Sequence, residues 1–300
     1  MKIAFLILAH GNIPQLNCFL RQLLKYEGSY VYIHLDIKAG DADRDIIKDS
    51  RITVLPKRMS LNWGDYSLIE ATDYLIRYAS EAGSYDWYSL HSGVDMAIRP
   101  VSEFAEFLEN DNKFFYGSFG KLPMPGWQYK GGLGRLCLYW PKCFRKSAKK
   151  YSLRRLTRGL YGRMYDKGLL KGKKLPDKFV FYGGSEWFTA SEECIKKTIE
   201  FLDTNKDYDP IFRNAISSDE IYFNTIFMNI KSDGERTGVT RNHLRYLNWK
   251  KLNQKRKYVG GPNTCTMSFL EDIVNSGRFF ARKFDMNFDK EIVEYFENNT

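Results

Sequence analysis

The sequence has no long hydrophobic run. Its longest strongly apolar stretch, Ile3 to Ala9, has seven residues and is followed at once by His10, whereas a helix needs about 20 apolar residues to cross a bilayer. No transmembrane helix is therefore predicted. As the apolar part of a signal peptide the run is at the lower length limit, and no small-residue cleavage site follows it. We expect it to form the first buried strand.

Cysteine and histidine are scarce, and their spacing excludes several kinds of site. The five cysteines are odd in number and contain no C-x-x-C pair, which favours neither a disulfide framework nor a zinc site and fits a reducing compartment. The four histidines have no H-E-x-x-H spacing. The chain also lacks G-x-G-x-x-G after the first strand and G-x-x-x-x-G-K-[ST] throughout, so dinucleotide and P-loop phosphate sites are not predicted.

The 300 residues are 43% hydrophobic and 16% aromatic, which is ample for a packed core. In the first 120 residues, strand patterns at Lys2–Ala9, Tyr30–Leu35 and Trp87–His91 alternate with helical patterns at Pro14–Tyr26 and Tyr66–Ala82. Strands separated by helices predict crossover connections, a mostly parallel sheet and the α/β fold class. Ligands of such sheets bind beyond the carboxyl ends of the strands.

The remaining elements are less regular, and no repeat or linker divides the chain. We predict one domain over 1–300, in which a regular half (1–120) is followed by a less regular half (121–300). The further predicted elements are a short strand Ile52–Leu55, a helix Ser102–Leu108 with Ser102 as its N-cap, a strand pair around Phe179–Tyr182 and Trp187–Ala190, and helices Ser191–Leu202, Glu220–Met228 and Lys290–Asn298.

The net charge of +10 is concentrated in one segment. Residues 142–178 contain 14 Lys and Arg against two Asp, so the rest of the chain is slightly acidic. Within this segment Leu153, Leu156, Leu160 and Met164 recur at helical spacing. The pattern fits a helix on an anionic membrane surface and equally a helix packed on its own domain with a solvated basic face. A nucleic-acid partner is not expected, because a protein that binds nucleic acid would have its positive charge spread over the fold.

Eight segments occur in the order seen in the core-2/I-branching β-1,6-N-acetylglucosaminyltransferase family, which includes the peptide O-xylosyltransferases. The chain resembles that family from residue 3 to about 296. The segments are Ile3–His10, His34–Lys38, Trp63–Ser67, Tyr88–Asp95, Gly184–Phe188, Ser218–Glu220, Leu244–Trp249 and Phe280–Asp285. The resemblance implies a GT-A type fold, with a mostly parallel Rossmann-like sheet flanked by helices, and inverting transfer from a UDP-sugar without a divalent metal. It also implies that residues 1–120 form the nucleotide-sugar-binding half and residues 121–300 the acceptor-side half, which contains the basic segment 142–178.

The resemblance also implies the catalytic residue. Glu220 matches the family's base, which takes a proton from the acceptor hydroxyl as that hydroxyl attacks the anomeric carbon. Ser218 stands where relatives usually carry proline. Without the resemblance, Ser218 and Asp219 would be ordinary N-cap residues and Glu220 part of a first helical turn.

No pair of carboxylates has the pattern of a metal site at a strand end. Asp95 stands at the place of the Asp-x-Asp of metal-dependent relatives, but Met96 and Ala97 follow it. The pairs Asp41/Asp43 and Asp207/Asp209 have the spacing but are expected in solvated turns. Without a metal, Lys or Arg must offset the charge of the leaving diphosphate. Lys283 matches the family's phosphate-binding lysine, Arg282 lies beside it, and Arg256 is a further candidate.

On the donor side, His10, Asp36 and Trp63 match family positions that contact uridine and ribose, and we group Asp95 with them. On the acceptor side, Trp249 matches an aromatic platform for a sugar, and Glu186 and Trp187 are expected to face the same region. As bare residues, His10 and Asp36 would more often be strand-end caps, and Trp187 and Trp249 could equally belong to the core.

The sequence thus predicts an inverting, metal-independent transferase in cell-surface polysaccharide synthesis. The simplest activity is β-1,6 transfer of N-acetylglucosamine from its UDP-sugar to a glycan, free or lipid-linked. UDP-xylose, UDP-glucose and UDP-galactose are alternative donors, and a non-enzymatic protein that binds membrane or nucleic acid through the basic segment is a more distant alternative. We expect a bacterial protein of the cytoplasm, peripheral to the inner face of the membrane.

Overall fold

A computed structural model describes residues 1–111, 113–146, 151–231, 237–239 (backbone), 244–249 and 261–300. The strands are β1 (Ile3–Ala9), β2 (Ser29–Leu35), β3 (Ile52–Val54), β4 (Trp87–Ser92), β5 (Asp95–Ala97), β6 (Phe115–Gly117), β7 (Phe119–Lys121), β8 (Tyr182–Gly184), β9 (Thr189–Ser191), β10 (Thr237–Val239), β11 (Arg245–Leu247) and β12 (Phe280–Arg282). The helices are α1 (Ile13–Leu24), α2 (Ser67–Ala82), α3 (Val101–Glu109), α4 (Gln128–Gly131), α5 (Leu133–Cys137), α6 (Leu153–Asp166), α7 (Glu192–Thr204), α8 (Asp209–Phe212), α9 (Asp219–Ile230), α10 (Leu270–Val274) and α11 (Lys290–Asn299).

A seven-stranded sheet in the order β10-β6-β9-β4-β1-β2-β3 forms the centre of the fold. Strands β4, β1, β2 and β3 are parallel neighbours, and within the described part of this sheet only β9 runs antiparallel to the strands beside it. Strand β1 is buried along its whole length. A sheet strand points successive side chains to opposite faces, and β1 does so between two apolar layers. The α/β class with a mostly parallel sheet is confirmed.

The two layers beside β1 contain different helices. Ala4, Leu6 and Leu8 pack in one cluster with residues of α2 and α9. Ile3 and Phe5, on the other face, pack with residues of α1 and α3. The sheet is therefore covered on both faces, as its near-continuous hydrophobic strands require.

Two predicted elements differ from the structure. The two strands predicted near 179–190 do not pair with each other, because β8 pairs with β7 while β9 lies between β4 and β6. Gly184 permits the first pairing, since a Cβ there would lie 1.8 Å from the Ser118 carbonyl oxygen. Helix α3 begins at Val101, directly after Pro100, so Ser102 lies in the first turn and the prediction of it as N-cap is wrong.

Helix α6 is anchored by its tyrosines and not by its leucines. The Ser152 hydroxyl caps it by accepting from the Arg155 backbone N–H at 3.4 Å. Gly162 and Tyr165 are its buried residues, and a Cβ on Gly162 would come within 1.9 Å of the Tyr129 ring. The predicted leucine stripe does not pack on the domain, because Leu153, Leu156 and Leu160 are 76%, 64% and 59% exposed.

All five cysteines are free thiols. Among the helices within the described ranges, none combines the length and the apolar composition that a membrane crossing requires.

Candidate functional site

Three parallel strands end together at one edge of the central sheet. His10 follows β1, Asp36 follows β2, and Asp95 lies three residues beyond the end of β4. The Asp36 backbone N–H donates to the Ala9 carbonyl at 2.8 Å. The carboxyl ends of such strands are where α/β sheets bind ligands, so the sequence-predicted donor residues share the edge that the topology favours.

His10 lies among cations at this edge. His10 is exposed, yet the pKa of its imidazole is lowered, first by desolvation and then by Arg282. Asp36 raises this pKa, and Lys38 and Lys283 lower it further. The Lys283 amino group reaches toward Gly261, where a Cβ would lie 3.2 Å from Nζ. The edge therefore combines an imidazole that is neutral at neutral pH with several positive charges, which suits a diphosphate.

Asp36 is 1% exposed and its carboxylate is already hydrogen-bonded. It accepts from the backbone N–H groups of Lys38 at 2.9 Å and Leu61 at 3.1 Å, and Lys38 Nζ lies 3.2 Å from Oδ2. Asp36 thus acts here as the strand-end cap that its residue type favours, and it fixes the loop that leads to Trp63.

Asp95 is fully buried within a charged network. Its carboxylate lies 2.9 Å from Arg245 Nε, 3.1 Å from Arg282 Nη1 and 3.3 Å from His91 Nδ1. Burial alone would raise the pKa of Asp95, but Arg245, His91 and Arg282 lower it below its usual range. The pKa of His91 is lowered to about 4 by burial and by Arg245. Asp95 therefore orients Arg282 toward the sheet edge.

Trp187 lies beneath this network. It is 6% exposed, with the guanidinium groups of Arg282 and Arg245 4.3 Å and 5.4 Å from its ring centroid. The ring faces of Trp187 are thus directed to cations, and the structure does not bring it to the surface as an acceptor platform. Such cation–π contacts stabilise buried guanidinium groups.

Three carboxyl groups form the next part of the site. Glu186, in the turn before β9, and Asp219, at the start of α9, interact directly, and burial raises the pKa of both. Their mutual repulsion further raises the pKa of Asp219. Two carboxyl groups this close cannot both ionise readily, so the pair retains a proton. Ser218 makes no side-chain capping bond at this helix start.

Glu220 is more accessible than Asp219, which is 7% exposed, because 34% of the Glu220 side chain is exposed. Burial raises its pKa, Arg135 lowers it, and Asp219 raises it again. Arg135 Nη1 donates directly to Glu220 Oε2, and the guanidinium lies 3.9 Å from the Trp127 ring centroid. Arg135 was not found from the sequence, because its partner is 85 residues away and no local motif marks it.

Glu220 opens into a cavity of about 780 Å3. Its walls include Trp63, Arg135 and Ser217 on one side and residues of α6 on the other. The Ser217 backbone N–H donates to the Gly64 carbonyl at 2.9 Å, and Gly64 has a φ of +78°. The loop that presents Trp63, 46% exposed, is thereby joined to the loop that presents Glu220. A cavity of this size accommodates sugar rings.

Trp249 is 57% exposed and lies near the basic edge. It follows β11, which pairs in parallel with β12 so that Leu247 is opposite Arg282. Trp249 therefore lies at the same end as Lys283 and has a ring face available for a sugar. Arg256 lies outside the described residues.

The alternative metal pairs have other partners. Asp207 forms a 2.7 Å ion pair with Lys178, and Asp41 lies 3.7 Å from Arg44 with both side chains largely exposed. Across the described ranges, no group of three or more His, Cys, Asp or Glu side chains has an arrangement that would hold a metal ion.

A family model described as core-2/I-branching enzyme matches residues 3–274. The chain is a member of the core-2/I-branching enzyme family. Membership confirms the predicted family and the prediction of a glycosyltransferase, and it favours an enzyme over a non-enzymatic binding protein.

Curated relatives of this family member include several xylosyltransferases. Human xylosyltransferase 2 is 25% identical over 319 residues, which cover 98% of this chain and 33% of that protein. Human xylosyltransferase 1 is 23% identical over 310 residues, covering 98% and 30%, and the Ciona intestinalis xylosyltransferase is 24% identical, covering 99% and 34%. The chain spans about a third of the length of these relatives.

Two solved structures resemble this core-2/I-branching family member remotely. Staphylococcus aureus TarS residues 1–349 matches with a TM-score of 0.39 and 11% identity, covering 81% of this chain and 58% of that one. The 4-diphosphocytidyl-2C-methyl-D-erythritol synthase of Anaerococcus prevotii matches with a TM-score of 0.38 and 12% identity, covering 80% and 88%. Likeness at this level bears on neither substrate nor mechanism.

Proposed function

We propose that this protein transfers a sugar, most simply N-acetylglucosamine in β-1,6 linkage, from a UDP-sugar to a glycan hydroxyl with inversion and without a divalent metal. The observation that supports this best is the adjacency of two parts. A basic strand-end edge containing His10, Arg282 and Lys283 lies beside a carboxylate cluster, one member of which, Glu220, opens into a sugar-sized cavity.

In the proposed reaction Glu220 Oε accepts the proton of the acceptor hydroxyl. The hydroxyl oxygen attacks the anomeric carbon and forms the new glycosidic bond, while the bond from that carbon to the diphosphate breaks and UDP leaves with the electron pair. Lys283 and Arg282 offset the charge that develops on the diphosphate. Neutral His10 donates a hydrogen bond to the same group, and Trp63, on the loop that Asp36 fixes, contacts the nucleoside.

The raised pKa of Glu220 suits this role. A base works best when its pKa approaches the operating pH while it remains ionised. Burial and Asp219 increase its proton affinity, and the ion pair with Arg135 keeps the carboxylate charged. Glu186 lies within electrostatic reach of Glu220 and would accept hydrogen bonds from the acceptor beside it.

UDP-xylose is the second candidate donor, because the curated relatives are named xylosyltransferases. UDP-glucose and UDP-galactose remain further candidates. We also propose a bacterial, cytoplasmic setting in cell-surface polysaccharide synthesis and a single domain comprising both halves of the chain. Trp249 and Arg256 are proposed to contact the substrates.

A thermal-shift panel tests the donor half of this proposal. UDP, UDP-N-acetylglucosamine, UDP-xylose, UDP-glucose and UDP-galactose are each added with EDTA and with Mn²⁺, and CDP serves as a matched diphosphate control. A ligand at 100 times its Kd stabilises the fold by about 2.7 kcal/mol. We expect UDP to stabilise the protein equally with EDTA and with Mn²⁺, and more than CDP does. The sugar with the largest further shift is then assayed for transfer.

Absence of any UDP shift, or a shift only with Mn²⁺, would contradict the proposal. The variant Lys283→Met should reduce the UDP shift, and Lys206→Met, on a lysine with 75% of its side chain exposed, is the matched control. NMR of the product of the active donor then reports anomeric configuration and linkage. A product that retains the donor's configuration would refute the inverting mechanism.

A further inference from the structure

Helix α6 carries an apolar ridge that faces outward. Leu153, Leu156 and Leu160 are each more than half exposed, whereas a surface helix normally turns its apolar stripe to the core. At about 100° per residue these three leucines fall within about 60° of the helix circumference. The helix packs through the opposite side, where Gly162 and Tyr165 are buried. In the part of the chain that the structure describes, the ridge has no packing partner.

Cations flank the ridge on its cavity side. Arg155 and Arg163 lie between the leucines and the packed face, and both line the cavity that contains Glu220. Among described residues, neither side chain forms an ion pair. Leu156 and Leu160 also reach the rim of the same cavity. The apolar ridge, two uncompensated arginines and the entrance to the candidate active site are therefore contiguous.

The residues around α6 are also basic and include further exposed hydrophobic side chains. Residues 142–178 carry 14 Lys and Arg against two Asp. Beyond the helix Leu169 is 69% exposed, and Lys167 and Lys171 lie on either side of it. Before the helix Tyr151 is 80% exposed. Exposed large hydrophobic residues concentrated in one patch mark an interaction surface.

The combination of exposed leucines and flanking arginines on α6 favours one binding partner. A second copy of this chain would bring two strongly positive segments together, which like-charge repulsion opposes. A soluble polyanion would satisfy the arginines but leave the leucines in water. A bilayer with anionic lipids satisfies both, because headgroup phosphates bind arginine and the acyl boundary accepts leucine.

We infer that α6 docks on an anionic lipid surface, with Leu153, Leu156 and Leu160 at the acyl boundary and Arg155 and Arg163 at the phosphates. The Glu220 cavity then opens at that surface, so the acceptor is a lipid-linked glycan whose sugar enters the cavity while its lipid stays in the bilayer. The inference of docking depends only on the properties of α6, whereas the assignment of the acceptor rests on the proposed transferase function.

Vesicle flotation tests the docking. The full chain is mixed with phosphatidylcholine vesicles with and without about 30% phosphatidylglycerol, at low and high salt. We expect binding to the anionic vesicles, weakened by salt. Leu153→Ser should weaken binding roughly tenfold because an exposed leucine no longer enters the membrane. Arg155→Gln should weaken it about fivefold.

Matched controls come from elsewhere on the surface. Val274→Ser changes another exposed aliphatic residue, 49% exposed, and Lys206→Gln removes another exposed charge; both should bind as the wild type does. Equal binding by the wild type and Leu153→Ser would overturn the inference. So would failure of the wild type to bind anionic vesicles, or a dimer in light scattering that Leu153→Ser abolishes.

The UDP thermal shift, measured on the same samples, separates the two proposals. It should be unchanged in Leu153→Ser, whose side chain does not line the cavity. A chain that responds to UDP but ignores vesicles overturns the docking and leaves the transferase proposal standing. A chain that binds vesicles without responding to UDP supports the docking and refutes the donor site.

Discussion

Replacing Glu220 by Gln tests the centre of the proposed mechanism. The change keeps the size of the side chain and one oxygen that can accept from Arg135, and it removes the group that takes the proton. We expect donor binding to persist and transfer to fall sharply, since the diphosphate contacts lie at the strand-end edge and not at Glu220.

The magnitudes follow from the geometry. A general base contributes about 10²- to 10⁴-fold to rate, which is about 3–5 kcal/mol of activation free energy at about 1.36 kcal/mol per tenfold. Glu220 and Arg135 are 34% and 17% exposed, so the pair is partly buried. Its loss should cost more than the loss of an exposed pair, about 1 kcal/mol, and less than the breaking of a buried pair, about 3–5 kcal/mol, because Gln still accepts from Arg135. The Tm should therefore fall by less than about 10 °C.

The assay compares initial rates of UDP release and of acceptor transfer with the thermal shift given by UDP. Glu193→Gln is the matched control, because Glu193 also forms an ion pair, with Lys197 at 2.9 Å, and is 63% exposed away from the site. It should leave transfer unchanged. A Glu220→Gln enzyme with more than about a tenth of the wild-type rate would refute the base assignment. A large loss of transfer activity in Glu186→Gln but not in Glu220→Gln would indicate that Glu186 is the base.

Four further outcomes are expected. Activity should survive EDTA, because protein cations offset the diphosphate charge. Arg135→Gln should move the acid limb of the rate–pH profile to higher pH, because Arg135 lowers the pKa of Glu220 and its loss makes the base protonate more readily. Asp219→Asn should raise the Tm, and most at high pH. The folded-state pKa of Asp219 is raised, so the stability that protonated Asp219 contributes is present at low pH and is lost as the pH rises through that pKa. Asp95→Asn should destabilise the fold by about 3–5 kcal/mol, because it leaves Arg245 charged and buried without a carboxylate.

Each has a measurement that checks it. Loss of turnover in EDTA, restored by Mn²⁺, would refute the metal-free mechanism. An acid limb that stays fixed in Arg135→Gln, or a pH-independent gain in Tm for Asp219→Asn, would contradict the assigned pKa directions. For Asp95 the denaturant midpoint is compared with that of Asp207→Asn, whose exposed pair with Lys178 should contribute little to stability. Similar losses in the two variants would contradict the buried network.

The sequence predicted the elements whose burial leaves a regular pattern of apolar residues. Strand β1 and helix α2 agree with their patterns because a buried strand is apolar throughout and a helix against a sheet repeats its apolar residues at three and four. Sequence pattern does not report pairing partners. The predicted partner strands near 179–190 belong to different sheets because Gly184 allows β8 to approach β7 closely.

The candidate site was likewise predicted from the sequence only in part. His10, Asp36 and Lys283 were named from ordered motifs, and the structure brings them to one edge. Arg135 was missed because only the folded chain brings it to Glu220. For α6 the periodicity indicated a helix with an apolar stripe but not the direction of that stripe. The direction is decided by Gly162 and Tyr165, which pack closely enough to turn the leucines outward.

The attachment of α6 has a consequence for how this enzyme can diversify. The helix packs against α4 and α5, and the Lys130 backbone N–H donates to Asp166 at 2.7 Å while Lys130 Nζ lies 4.6 Å from the Tyr165 ring centroid. None of these contacts involves the strand ends that carry His10 or the cations beside it. Under the proposed function, recombination that exchanged α6 alone, residues 153–166, could therefore change the acceptor while Arg135, Glu220 and the donor edge stay unaltered, so that one sugar supply serves several branches of a glycan repertoire.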